Sequence, residues 1–159
     1  FTGGGGFAWF SPRPWYQDTA AYLKAASQPN RSEFNAAGRG YPDVAALGHN
    51  FLVKYEGDWQ SVDGTSASAP VVASLLTGVN GVLEAAGRPR VGFWPPVLHR
   101  LGAECPDCFH DVTEGTNACT EYACCDDTRL GYLAGPGWDP VTGWGTLNAS
   151  AIASYLLAE

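Results

Sequence analysis

The chain contains no methionine, two lysines (Lys24 and Lys54) and three histidines in 159 residues. Sixteen acidic against nine basic residues give a formal charge of −7, and no arginine cluster offers the surface that phosphate neutralisation requires. The composition therefore argues against nucleic acid as a partner. Few lysines and an isoelectric point near 4.8 suit a protein working in acid, where a lysine-rich chain would become strongly self-repelling. The longest apolar runs fall short of the roughly 18 to 20 residues that a membrane span requires, so none is expected. With neither methionine nor a charged-then-apolar leader at its start, the sequence reads as a processed product.

What is present is a globular composition, 45% apolar and 13% aromatic, sufficient for one core and therefore one domain or part of one. The five cysteines, Cys105, Cys108, Cys119, Cys124 and Cys125, fall in one loop-like stretch. A disulfide-stapled loop and a zinc knuckle on Cys105-x-x-Cys108 both fit; no second CxxC and no finger-spaced histidine pair follows, which favours disulfides. An odd cysteine is then left free or paired outside the chain. Asn30-Arg31-Ser32 and Asn148-Ala149-Ser150 match the N-glycosylation sequon, in keeping with a secretory route.

Four consecutive glycines in FTGGGGF (residues 1–7) suit neither a helix nor a central strand. They allow either a bound peptide to approach the backbone or a plain loop. Residues 15–27 predict a short helix, PDVAALG (42–48) a buried strand, and FLVKYEGDWQSV (51–62) a hairpin turning near Gly57-Asp58. Beyond it, Val72, Leu75, Leu76, Val79, Val82 and Leu83 recur at helical spacing up to Gly87, with apolar residues on the other faces, predicting a helix buried nearly all round. Residues 91–102 read as a Pro-broken, partly helical connection, residues 103–146 as irregular, and ASAIASYLLAE (149–159) as a closing helix. His49, His99 and His110 read as loop or helix-end residues, and the six tryptophans as packing anchors.

DGTSASAP (63–70) places Ser66 at the start of the long helix, with Pro70 expected in its first turn. There, unsatisfied N–H groups and the positive end of the helix dipole would stabilise an oxyanion. A simple N-cap is the alternative. DGTSASAP followed by an apolar helix resembles the nucleophile motif of the subtilisin-like fold, and in particular that of the sedolisin family, the serine-carboxyl peptidases. GGGGF, FSPRPWYQ, AAGRGYPDVAALG, GFWPPVLHRLG, DVTEG and GPGWDPVTGWGTLN resemble segments of that family in the same order, across the whole chain. The likeness is greatest to its tripeptidyl-peptidase branch and that branch's acid-acting relatives.

The resemblance implies an α/β, subtilisin-like three-layer fold with a mostly parallel sheet. Residues 1–159 would form the C-terminal part of the catalytic domain, with a nucleophile helix near 66–86 and a calcium-binding loop region near 103–146. It implies an acid-acting endopeptidase or tripeptidyl-peptidase in a secreted or lysosomal-type compartment, acting on peptides or proteins through an acyl-enzyme on Ser66. In the family the base is a glutamate, steered by one aspartate, with a second aspartate in the oxyanion hole. All three lie before the segment matched by FTGGGGF, and Glu33, Asp43, Glu56, Asp58 and Asp63 match none of them. A companion N-terminal chain, with a disulfide link open to the odd cysteine, is expected to supply them. The other account is a non-catalytic, calcium-stabilised binding or inhibitory module. For the metal, the resemblance implies one structural Ca2+ held by the Asp111 and Asp139 carboxylates and the carbonyls of Val112, Gly135 and Gly137.

Overall fold

The computed structural model describes residues 2–26, 34–119 and 131–159. The sequon at Asn30 and the cysteines Cys124 and Cys125 lie outside the described residues. The order is β1 (Gly6–Pro12), a 3-10 turn (Trp15–Gln17), α1 (Ala20–Ala26), β2 (Gly38–Tyr41), β3 (Phe51–Tyr55), β4 (Asp58–Val62), α2 (Thr65–Ala85), α3 (Trp94–Glu104), a 3-10 turn (Pro106–Cys108), β5 (Phe109–His110), β6 (Thr146–Leu147) and α4 (Ala149–Ala158).

Strands pair as three antiparallel couples, β1 with β2, β3 with β4, and β5 with β6. Among the described residues, the expected parallel sheet is represented by one parallel bridge, Ala45 to Thr146. PDVAALG contributes that bridge, not the buried strand its pattern predicts, because a parallel ladder needs neighbouring strands that these residues do not supply. The β3–β4 hairpin is as expected. Its turn, Glu56-Gly57, takes positive φ at both residues (49° and 95°), the handedness that matches the twist of a two-residue hairpin.

The core collects around aromatic side chains. Phe7, Tyr22 and Trp138 are buried together, with the Tyr22 and Trp138 ring centroids 4.8 Å apart. Tyr22 donates to the Gly38 carbonyl at 2.8 Å, and burial pushes its phenol up to about 12. Gly40 on β2 leaves room for these rings, since a Cβ there would lie 2.5 Å from Tyr22 and 2.6 Å from Trp138. On the other side, Leu76, Val79 and Leu83 of α2 share the core with Ile152, Ala153 and Leu156 of α4.

The long helix α2 departs from expectation in two ways. It is buried on one face only, with Leu76, Val79 and Leu83 inside and Ala73, Ser74 and Val82 exposed, because α4 covers a single side of it. At 21 residues it is also long and apolar enough to cross a membrane by length and composition alone, which the run-length reading did not anticipate. Its end follows the pattern expected at Gly87. The Gly87 N–H bonds the Glu84 carbonyl and the Arg88 N–H the Leu83 carbonyl, a Schellman closure that uses the positive φ of glycine.

Of the two cysteine readings, the disulfide holds for Cys105–Cys108, and Cys119 is disulfide-bonded too. Asn148 caps α4, accepting from the Ala151 N–H while its amide donates to the Asp107 carbonyl at 3.0 Å. Replacing Gly40 with alanine is expected to lower stability by about 1–3 kcal/mol through overpacking against rigid rings, measured by denaturant unfolding.

Candidate active site

Ser66 is the second residue of α2 and is exposed. Gly64 is the N-cap and offers no side chain, so the first turn closes only through the Ala67 N–H to the Gly64 carbonyl at 3.0 Å. The N–H groups of Thr65 and Ser66 have no acceptor among the described residues. They are the donors a helix start leaves available to an anion. Pro70 corrects the expectation: it is the sixth helical residue and lies in the second turn, so it removes the donor that would have bonded the Ser66 carbonyl.

Among the described residues no base is hydrogen-bonded to the serine, and the Ser66 hydroxyl has no hydrogen-bond partner there. His49 is engaged at both ring nitrogens, Nδ1 3.0 Å from Asp63 and Nε2 2.9 Å from the Asn50 amide. Gly5 packs where a side chain would overlap the Pro140 carbonyl, whereas Gly3 and Gly4 have nothing within 4 Å of a built Cβ. Gly6 is constrained too, with φ +151° and Tyr132 3.1 Å from a built Cβ, so packing accounts for the second half of the run, while Gly3 and Gly4 meet nothing among the described residues.

His99 is not a helix-end residue but fully buried within α3. Its Nδ1 accepts from the Trp144 indole at 3.3 Å; an indole only donates, so Nε2 carries the proton and donates to Asp43 Oδ1 at 3.1 Å. Asp43 also accepts from Arg39 at 2.7 Å. Burial works to raise the Asp43 carboxyl, but the His99 hydrogen bond and the Arg39 guanidinium outweigh it and hold the carboxyl below its ordinary range. Neither this contact nor the Asp63–His49 pair carries a signal in sequence spacing, since 56 and 14 residues separate the partners.

The five residues expected around calcium divide into four that hydrogen bonds draw together and one neighbour in sequence. Gly137 N–H donates to Asp111 Oδ2 at 2.8 Å and Gly135 N–H to Asp139 Oδ2 at 3.1 Å. Val112 follows Asp111 without a hydrogen bond of its own. The carbonyls of Val112, Gly135 and Gly137 accept nothing from the described residues. Asp139 is buried, and its Oδ1 accepts the Val141 and Thr142 N–H groups, each at 2.8 Å. Burial raises its carboxyl despite those bonds. Two carboxylates and three unpaired carbonyls fit a hard cation that takes oxygen ligands. Among the described residues no group of three or more His, Cys, Asp or Glu is placed to hold a metal, so such a site depends on the backbone carbonyls.

No family model matches the chain. It is 44% identical to physarolisin of Physarum polycephalum over 158 residues, 98% of this chain and 27% of that protein. It is 43% identical to tripeptidyl-peptidase 1 of Homo sapiens over 166 aligned positions, 99% of this chain and 28% of that protein. In structure it matches Pseudomonas sedolisin, a serine-carboxyl proteinase solved with two molecules of pseudo-iodotyrostatin, at a TM-score of 0.72 and 26% identity. That match covers 98% of this chain and 37% of sedolisin. The chain thus spans little more than a quarter of the curated relatives and corresponds to a C-terminal portion of them.

Because the folded carboxyl of Asp43 is depressed, its contribution is present above the unfolded aspartate range and lost as pH falls through the folded value. Asp43→Asn is expected to cost about 3 kcal/mol near neutrality, with the difference from the unaltered protein shrinking on acidification, as thermal unfolding across pH would record.

Proposed function

We propose, because this chain is homologous over nearly its whole length to sedolisin-family peptidases, that it carries the nucleophile of an acid-acting serine peptidase. The observation that carries the reading is Ser66, exposed at the start of α2 beside two N–H groups with no acceptor among the described residues. In this reading Ser66 Oγ attacks the peptide carbonyl and the helix-start N–H groups stabilise the oxyanion. Departure of the amine leaves an acyl-enzyme, which water then hydrolyses.

The base is a glutamate, with its aspartate partner and an oxyanion aspartate, on an N-terminal part of the same precursor. A carboxylate suits the task in acid: a histidine is protonated near pH 4, while a glutamate with a reference value of about 4.3 is still partly ionised. An aspartic acid kept protonated can donate to the oxyanion. The surface supports a missing neighbour. Phe10 is fully exposed and Trp9 68% exposed, and on the open side of α2 Ser74 and Thr77 turn their hydroxyls onto their own helix carbonyls at 2.8 and 2.7 Å. A face with its hydroxyls tucked in is suited to packing against protein. A secretory or lysosomal-type acidic compartment fits the disulfides and the acidic composition.

The Asp111 and Asp139 carboxylates with the carbonyls of Val112, Gly135 and Gly137 would hold one Ca2+. The ion would add fixed positive charge beside the buried Asp139 and order a loop with little regular structure.

In the full-length processed protein, Ser66→Ala is expected to reduce peptide hydrolysis at pH 4 by at least about 10⁴-fold; activity within tenfold of the unaltered enzyme would refute Ser66 as nucleophile. Chelation of calcium, or Asp139→Ala, is expected to lower the melting temperature and activity together. An unchanged melting temperature after complete calcium removal would refute the metal site.

A further inference from the structure

The turn that presents Ser66 is also the closing end of the β3–β4 hairpin. The ladder runs from Tyr55 and Asp58 at the turn to Phe51 and Val62, and Asn50 and Asp63 are the next residues out on either side. Three contacts join the two strand ends there. Gly64 N–H donates to the Gly48 carbonyl at 2.7 Å. One oxygen of Asp63, Oδ1, accepts both the Asn50 N–H at 2.8 Å and the His49 Nδ1–H at 3.0 Å. Gly48 sits directly on the turn, since a Cβ there would lie 2.5 Å from Ser68 Oγ and 2.9 Å from the Gly64 carbonyl.

The Asn50 side chain extends the arrangement. Its amide donates to His49 Nε2 at 2.9 Å and its Oδ1 accepts from Ser61 on β4 at 3.1 Å. His49 is therefore held at both nitrogens, and its ring orientation fixes Asp63 from one side while the Asn50 backbone fixes it from another. From Asp63 the chain passes through Gly64, the helix N-cap, to Ser66 in three residues. A glycine N-cap has no side chain to anchor the first turn, so whatever restrains residues 63 and 64 restrains the serine.

Stability alone is a poor explanation for the pair. The Asp63 and His49 side chains are 40% and 59% exposed, and exposed ion pairs contribute little to folding. A small displacement of a nucleophile, by contrast, can cost about 10²-fold in rate.

We propose that Asp63, oriented by His49 and Asn50, is a positioning residue that fixes the nucleophile turn at the base of the β3–β4 hairpin. It rests on Ser66 being the nucleophile and acts on the serine through the backbone of Gly64, without touching substrate.

The test measures kcat, KM and melting temperature of the full-length processed protein carrying Asp63→Ala, Asp63→Asn or His49→Ala, with Ser66→Ala alongside. Asp63→Ala is expected to lower kcat by about 10- to 100-fold while KM stays within twofold and the melting temperature within a few degrees. Asp63→Asn, which keeps an oxygen for the Asn50 N–H, is expected to recover most of the loss, and His49→Ala to fall between. Unchanged kcat in Asp63→Ala and His49→Ala, with Ser66→Ala inactive, would overturn the positioning role and leave the nucleophile assignment standing. A loss that follows a lowered melting temperature in all three variants would overturn it equally, as a merely structural contact. An active Ser66→Ala protein would remove the nucleophile assignment and the positioning role with it.

Discussion

The joint between the 138–145 loop and the segment at 42–45 governs how the rest of the chain is arranged. The Trp138 indole donates to the Pro42 carbonyl at 3.0 Å, the Trp144 N–H to the Asp43 carbonyl at 3.0 Å, and the Ala45 N–H to the Gly145 carbonyl at 2.9 Å. Gly143, at a φ of +63°, leaves the space that the Asp43 carbonyl occupies. Side chains lock the same joint, since His99 on α3 links Trp144 to Asp43. One end of this joint leads through Gly48 and the hairpin to Ser66. The other lies against Asp139, so the 135–139 loop and the start of α2 share one support.

That arrangement also sets how the frame responds to acid. Asp43 and Asp63 are both held below the ordinary carboxylate range, Asp43 by His99 and Arg39 against the effect of burial, Asp63 by the Asn50 N–H and His49. The two carboxylates that fix the frame around Ser66 therefore stay ionised further into acid than free aspartates do. Asp139 goes the other way because burial outweighs the hydrogen bonds from Thr142, Gly135 and Val141.

Much of this was legible in the sequence, for identifiable reasons. The hairpin, α2 and its Gly87 ending, and α4 follow from periodicity and turn residues, and the preference for disulfides over zinc from cysteine spacing, although spacing leaves the Cys105–Cys108 pairing itself open. Ser66 and the pairing of Asp111 with the 135–139 loop follow from a likeness to sedolisins whose segments keep the same order. What escaped was tertiary. The burial of α2 was overstated because its apolar residues run round the helix while, among the described residues, only Leu76, Val79 and Leu83 are buried. Pro70 was placed a turn too early because the helix begins at Thr65. His99 and His49 read as unremarkable because their carboxylate partners are remote in sequence and brought close only by the fold.

The central claim is that Ser66 is a nucleophile prepared by this chain and activated from outside it. Covalent capture by a fluorophosphonate at pH 4, with the modified peptide mapped by mass, tests that claim most directly in the full-length processed protein and in the isolated 159-residue chain. The account predicts a single adduct on Ser66 in the full-length protein and none above background in the isolated chain. An adduct on another residue, or equal labelling of both, would contradict it.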